Sequence, residues 1–363
     1  MSDVVTTVTY NNSVERQEAH NYSPAIPAVM FGAGVLGNGL ALLVLFLSTK
    51  TKKRTVFYRL VGLLGVVDLA GTVALSPVTL LQYSRHDRWY GGQPLCDYYS
   101  YMMIFFGFTT MFIVAIMALD RYLALIHPYF YASKMSWTRI KVGLAVLTAF
   151  AAIFAFLPII GLGSNVVHYP NTWCFFDCKG VTTKDELYSY SYAAVGFVVI
   201  VFLAFTNISV IVTLTKMHMV THFRKPSCRS IHVCISSEEA QMIIFLIGVV
   251  IVFVGCWAPL MIVVVLEQSM YVTTEELLEL YVVRLASLNQ VLDPWVYILL
   301  RRELFSGLYN IIKKYICKSR GRLSVGGSQD NKNESTISMT HGTLREIECS
   351  DSNFGVMLDQ TSV

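Results

Sequence analysis

Arg284 lies in the last long apolar run of the chain, residues 280–300, between Val282-Val283 and Leu285-Ala286. A guanidinium keeps its proton, and holding one inside a bilayer costs from ~2.5 to more than ~10 kcal/mol, so such a residue is kept where it meets an anion. Its planar fork of N–H donors matches a carboxylate. Ser287 follows one turn on, and in the second apolar run Ser76, Thr79 and Tyr83 repeat at i, i+3 and i+7 on one helical face. Hydroxyls so placed can share an anion's oxygens or bind other polar groups of a ligand. Together these residues fit an acid with an apolar tail, the tail resting on Met, Phe and Leu from spans one, two, three and seven. Two other readings stand beside this one. Arg284 could reach the interface beside Glu276 or Glu279, and the hydroxyls could bond backbone carbonyls around the kink at Pro77.

The elements that carry these residues are membrane helices. Of 363 residues 54% are hydrophobic and 14% charged, with a mean hydropathy of +0.53, which is far from an average soluble domain. Apolar runs able to cross ~30 Å of hydrocarbon fall at 25–47, 57–83, 99–124, 142–162, 188–214, 241–266 and 280–300. The expected fold is an all-α seven-helix bundle over 25–300. A short amphipathic eighth helix on the membrane surface is expected over 301–316, after a segment at 1–24 and before a disordered tail at 317–363. No cleavable leader opens the chain, so the first span is expected to be its own insertion signal. Lys and Arg crowd the loops after spans one, three, five and seven, including Lys52, Lys53, Arg224, Arg301 and Arg302. The N-terminus is therefore expected outside and the C-terminus inside a plasma membrane. The net charge of +4 belongs to that asymmetry and gives no ground for nucleic-acid binding. Arg284 precedes Arg301 by 17 residues, about 26 Å of helix, which sets it in the outer third of its span.

Asn11 and Asn21 head sequons on the outer side and are candidate glycosylation sites. Cys96 opens span three, while Cys174 and Cys178 lie in the loop before span five, where disulfides are permitted. A bridge from Cys96 to Cys174 would pin that loop over the bundle, with Cys178 as the alternative partner. Cys317 is a candidate palmitoylation site just past the basic end of the last segment, its other reading being a free thiol. The remaining Cys have no metal-ligand spacing, so neither metal nor cofactor is expected. At the inner end of span three stands Asp120-Arg121-Tyr122, which alone could be an interfacial ion pair. Asn38, Asp68 and Asp293, with Asn289 nearby, put polar groups in separate apolar spans, and this is tolerable only if they meet in a shared water or sodium pocket. Pro259 and Pro294 interrupt spans six and seven and mark kinks.

This set, with Cys256-Trp257-Ala258-Pro259 and Asn289 ahead of Asp293-Pro294-Trp295, resembles the rhodopsin-like G-protein-coupled receptors over roughly residues 25–315. The resemblance implies that Arg121 pairs inwardly when inactive and meets a heterotrimeric G protein when active, with Glu239 as its distant partner. Span four has no interior Trp and span five no Pro, departures usual among prostanoid receptors. Tyr169-Pro170-Asn171-Thr172-Trp173-Cys174-Phe175 and Arg284-Leu285-Ala286-Ser287-Leu288-Asn289-Gln290 look like that narrower family. Ser76-Pro77-Val78-Thr79 and Gly91-Gly92-Gln93-Pro94-Leu95-Cys96 look like its prostaglandin E2 receptors, subtype four above all, whereas Trp257 resembles subtype three better. The resemblance implies a prostaglandin E2 receptor with Thr172 and Trp173 capping the ligand, signalling through Gs to cyclic AMP. The alternative is another prostanoid subtype coupled to Gi.

Other classes fit less well. Residues 280–300 hold no Lys for a retinal Schiff base, no internal repeat suggests a transporter, and Asp68 with Asp293 is the only acid pair an intramembrane enzyme could use. In the tail Ser335, Thr336, Ser338 and Thr340 are candidate sites for receptor kinases and arrestin, and Thr361-Ser362-Val363 fits a PDZ-domain ligand.

Overall fold

A computed structural model describes residues 23–47, 56–84, 89–224, 237–269 and 276–300, with side chains throughout these except at 217–224, 237–243, 245 and 297–300. In chain order the elements are α1 (Ala25–Leu47), α2 (Val56–Ser84), α3 (Gly92–Ile126), α4 (Pro128–Lys134), α5 (Trp137–Phe156), β1 (Asn165–His168), β2 (Trp173–Phe176), α6 (Thr183–Arg224), α7 (Ser237–Gln268) and α8 (Glu276–Leu300). Seven long helices form a bundle in which α1 packs on α2, α2 on α3, α3 on α5 and α6, α6 on α7, α7 on α8, and α8 back on α1. Of these, α1, α2, α3, α5, α6 and α7 are long and apolar enough to span a membrane on length and composition alone. The seventh, α8, is long enough at 25 residues but carries Glu276, Glu279, Arg284 and Asp293. Its polarity and its interest have the same cause.

Helices dominate because hydrocarbon offers no partner for backbone N–H and C=O groups, so each segment must satisfy its own. The apolar surface is accordingly turned outward: Val142, Val146 and Ile153 of α5 are each at least 60% exposed. Polar residues sit inside instead, with Asn38, Asp68, Asp120 and Asn289 all buried. The most buried long helix is α3. It begins after Gly91, whose φ of 120° and whose closeness to Leu95, 2.5 Å from a Cβ built there, both exclude a side chain.

Proline breaks are repaired locally. Pro294 has no N–H to give the carbonyl of Gln290, one turn earlier. Asn38 of α1 supplies the donor, its Nδ2 reaching that oxygen at 3.0 Å and the Gly34 carbonyl at 3.0 Å. Neighbouring Gly37 keeps the helices close, since a Cβ there would lie 3.0 Å from Pro294 Cγ.

The fourth span differs from its sequence reading. The apolar run suggests 142–162, but α5 covers Trp137–Phe156, starting five residues earlier and stopping six earlier. Ser136 caps its start by accepting from the Arg139 N–H at 3.4 Å. Pro158 cannot donate to the Phe154 carbonyl, which takes the Leu157 N–H at 3.3 Å and the Tyr188 hydroxyl at 3.2 Å. The apolar residues beyond, Ile159, Ile160 and Leu162, lie in a turn. From there the chain enters β1 and β2, an antiparallel hairpin pairing His168 with Trp173 and Val167 with Cys174.

Residues 1–22 and 301–363 lie outside the described residues, and with them Asn11, Asn21, the expected eighth helix, Cys317 and the tail motifs.

Candidate functional site

Between α1, α2, α3, α8 and the hairpin is a cavity enclosing about 750 Å³, part of it open to solvent. Ser76, Thr79, Tyr83, Arg284, Ser287, Thr172 and Trp173 all line it, so the structure brings all seven expected ligand residues to one space. The rest of the wall is mainly apolar, from Met30, Leu75, Met103 and Leu280. No Phe is among these lining residues, unlike the expected mixture.

Arg284 is half-buried, and its Nη2 donates to the Tyr83 hydroxyl at 2.6 Å. Among the described residues no carboxylate is within ion-pair distance of it. Glu279, the suggested interfacial partner, is instead taken by His168 and Lys179. The guanidinium therefore keeps most of its five donors for something else. The hydroxyls divide their bonds. Thr79 Oγ1 bonds the Leu75 carbonyl at 3.3 Å and also the Tyr99 hydroxyl at 2.8 Å. Ser287 donates to the Val283 carbonyl at 2.9 Å.

Tyr99 was not legible as a site residue from its own type, in a chain with 20 Tyr. Its spacing does carry a signal: Cys96, Tyr99 and Met103 stand at i, i+3 and i+7, so a bridged Cys96 marks the inward face of α3. Gln290 also lines the cavity. A further 400 Å³ or so continues inward past Leu75, Met103 and Ser287 to Gly107, Tyr192 and Trp257. Gly107 makes room there, since a Cβ on it would meet Trp257 at 3.0 Å. Trp257 Nε1 is buried without a hydrogen-bond partner among the described residues.

The hairpin roofs this space and is tied down at several points. Cys96 of α3 is bridged to Cys174 of β2, leaving Cys178 a buried free thiol. Asn165 in β1 uses its whole side chain: Oδ1 accepts from Ser100 at 2.8 Å and Nδ2 donates to Asp97 at 2.9 Å. Ser164 donates to Asp185 at the start of α6 at 2.8 Å.

At the opposite end of α3, Asp120 and Arg121 form a compact unit. Arg121 donates to Asp120 Oδ2 from Nη2 at 2.5 Å and from Nε at 3.1 Å, and its Cζ lies 4.9 Å above the Phe57 ring. Tyr131 of α4 donates to Asp120 Oδ1 at 2.8 Å. Burial first, then the Asp120 carboxylate, pushes the Tyr131 phenol up to about 12, so it stays a donor. Tyr122 packs near Phe205 at 6.2 Å. Glu239 falls in α7 where side chains are outside the described residues.

Midway along the bundle the polar residues meet only in part. Asp68 Oδ1 accepts from Thr110 at 2.8 Å, and Asn289 donates to Asp293 at 2.9 Å. Asn38 is committed to the Gln290 carbonyl. Asp68 Oδ2 and Asn289 Oδ1 are buried with no partner among the described residues, and these are acceptor atoms of the kind that water or sodium binds.

A bundle of seven helices with a roofed polar cavity at one end and an Asp-Arg-Tyr unit at the other is a receptor architecture. The fold superposes on squid rhodopsin with a TM-score of 0.67 at 18% identity, covering 80% of this chain and 85% of the rhodopsin. Residues 37–297 match the profile of the family described as 7 transmembrane receptor (rhodopsin family). The chain belongs to this family of membrane-spanning signalling receptors, and within it to the prostanoid receptors. It is 34% identical over 367 residues to the human prostaglandin E2 receptor EP4 subtype, covering 90% of this chain and 74% of that receptor. It is 32% identical over 317 residues to the bovine prostacyclin receptor, covering 86% and 80%.

Proposed function

We propose that this protein is a plasma-membrane receptor for prostaglandin E2, with its hairpin end extracellular, coupling through Gs to raise cyclic AMP. The observation that carries the reading is Arg284: a half-buried guanidinium held by a neutral phenol at 2.6 Å, facing a cavity of hydroxyls and apolar side chains. A prostanoid carboxylate completes its pairing. The acyl chains fit the apolar walls, and the ligand's hydroxyl and ketone fit Ser76, Thr79, Tyr99 and Gln290. Thr172 and Trp173 close over it. The names of the relatives support the ligand class, and the 34% identity to the EP4 subtype supports prostaglandin E2.

The prostacyclin receptor's 32% identity supports a second ligand, prostacyclin. At the Asp120 end, Arg121 is held by Asp120 and Phe57 and is released to the G protein when α7 swings outward. Asp68, Asn289 and Asp293 would hold water or sodium between the two ends. Asn11 and Asn21 would carry glycans, Cys317 a palmitoyl chain, and the tail would meet receptor kinases and arrestin.

Competition binding of a prostanoid panel to transfected cells, with cyclic AMP read in parallel, tests the proposal. Prostaglandin E2 should displace with the highest affinity and raise cyclic AMP. A prostacyclin analogue winning the competition would move the ligand assignment. A pertussis-toxin-sensitive fall in forskolin-raised cyclic AMP would replace Gs by Gi and leave the receptor assignment standing.

A further inference from the structure

At the end of the bundle away from the hairpin, the first turns of α5 gather cations that have no protein anion. Arg139 and Lys141 are exposed on α5, and Lys134 is exposed at the end of α4. None of the three has an ion-pair partner among the described residues. The sequence explains why, since no Asp or Glu occurs from residue 121 to residue 176 or from residue 19 to residue 67. Asp120, the nearest acid along the chain, is already engaged by Arg121 and Tyr131. A counter-ion for this patch must come from outside the protein.

The cations stand in two pairs, one on each flank of the helix. Arg139 donates from Nη1 to the Lys134 carbonyl, which draws its guanidinium to the end of α4. On the other flank Lys141 stands one turn beyond Trp137, and Arg59 of α2 joins it there with its Cζ 5.0 Å over the Trp137 ring. Two residues of helix set Arg139 and Lys141 about 200° apart round α5, on opposite sides of a cylinder about 10 Å across. Like charges within each pair repel, and the two pairs are too far apart for one small anion to meet both.

The face between the two pairs is apolar and turned outward. Val142, Val146 and Ile153 follow Arg139 at i+3, i+7 and i+14, and they are 60%, 62% and 66% exposed. This strip runs from the cations into the part of α5 that spans the membrane, so acyl chains cover it and a headgroup sits at its end. Trp137 is the kind of ring that marks that boundary. The four cations therefore stand at headgroup level, where Lys and Arg attract anionic lipid.

We propose that this surface binds a phospholipid whose headgroup carries more than one phosphate. One phosphate pairs with Arg139 and Lys134, another with Lys141 and Arg59, and the acyl chains lie along Val142, Val146 and Ile153. The fork of Arg139 fits two oxygens of a phosphate. Two phosphates on one ring span both flanks, as the single net charge of a serine headgroup does not. The lipid belongs to the leaflet at the Asp120 end, which the proposed orientation makes the cytoplasmic one, where anionic lipid resides. That leaflet rests on the proposed orientation, while the pairing of cations with phosphates does not.

Native mass spectrometry of the full-length receptor in detergent, titrated with phosphatidylinositol 4,5-bisphosphate, tests this. A first lipid should bind well ahead of any second. Arg139→Gln and Lys141→Gln should each weaken that first affinity roughly fivefold, and the double variant roughly 30-fold. Lys216→Gln removes an exposed cation of α6 at the same end of the bundle and should leave it unchanged. Equal losses in Lys216→Gln and Arg139→Gln would make the attraction a diffuse property of the basic end and overturn the proposal. Phosphatidylserine binding as tightly would do the same, since several phosphates would then not be what is read. So would soluble inositol 1,4,5-trisphosphate binding as tightly, since the apolar strip would then add nothing. If Arg139→Gln does not fold, Lys141→Gln against Lys216→Gln decides alone. Detergent has no sides, so the leaflet is read separately, from antibody access to an N-terminal tag on intact cells. A tag reached only after permeabilisation overturns the cytoplasmic placement, whereas failed lipid binding overturns the site and leaves the prostanoid reading untouched.

Discussion

Replacing Arg284 by Ala should separate the acid from its ester. Arg284 has five N–H donors and, among the described residues, one protein bond, to Tyr83 at 2.6 Å, which leaves an edge for both oxygens of a carboxylate. A hydrogen bond to a charged group contributes about 1.5–3 kcal/mol, so Arg284→Ala should weaken prostaglandin E2 binding roughly 10- to 150-fold. The methyl ester keeps the same chains but has no charge, and it should lose less than about threefold on the same substitution, since only neutral contacts go. Arg284→Lys keeps the charge without the fork and should fall between. Competition binding on membranes normalised for surface receptor gives all four affinities. Equal losses for acid and ester would refute carboxylate pairing, and Arg284 would then be a structural partner of Tyr83 alone.

Cys174→Ala removes the bridge to Cys96 and should cost ligand binding or surface expression, whereas Cys178→Ala removes only a buried thiol and should be mild in the same flow-cytometry and binding assays. Arg121→Ala should keep prostaglandin E2 binding and abolish the cyclic AMP rise. Phe57→Leu removes a cation–π contact of about 0.5–2 kcal/mol from Arg121 and should raise ligand-free cyclic AMP; an unchanged basal level would mean that Phe57 does not restrain the arginine. Asn38→Leu leaves the Gln290 carbonyl unpaired beside Pro294 and should lower stability by about 1–3 kcal/mol, read as a fall in melting temperature in detergent. A melting temperature unchanged from wild type would count against that repair.

Much of the bundle was legible because membrane helices are long and mostly apolar, so their number and order read from the chain. Their lengths did not: α3 and α6 run well past the apolar stretches at 99–124 and 188–214. Arg284 was legible for the opposite reason, being costly where it stands. The end of α5 was not, because Ile159, Ile160 and Leu162 keep the run apolar after Pro158 has already stopped the helix. The roof was harder still. β1 and β2 have four residues each, and the His168 to Glu279 bond joins positions 111 apart, a pairing that no local pattern encodes. The central polar set was only half legible: its residues could be named, but Asn38's task, closing a carbonyl that Pro294 sets free, depends on two helices meeting at one height.

That junction also has mechanical meaning. Gly37 and Asn38 hold α1 against α8 at Pro294, where α8 lacks one of its own rungs and bends most easily. Were α8 to bend there, this contact with α1 would be a fulcrum with a fixed bearing, and the stretch of α8 above it a lever arm. Arg284 rides ten residues up that arm, about 15 Å away, so a tilt of about 5° carries its guanidinium about 1.3 Å across the cavity. A carboxylate that drew Arg284 inward would pull with that leverage on the bearing, and because Asn38 grips the Gln290 carbonyl, α1 would have to lean with the arm or let go of it.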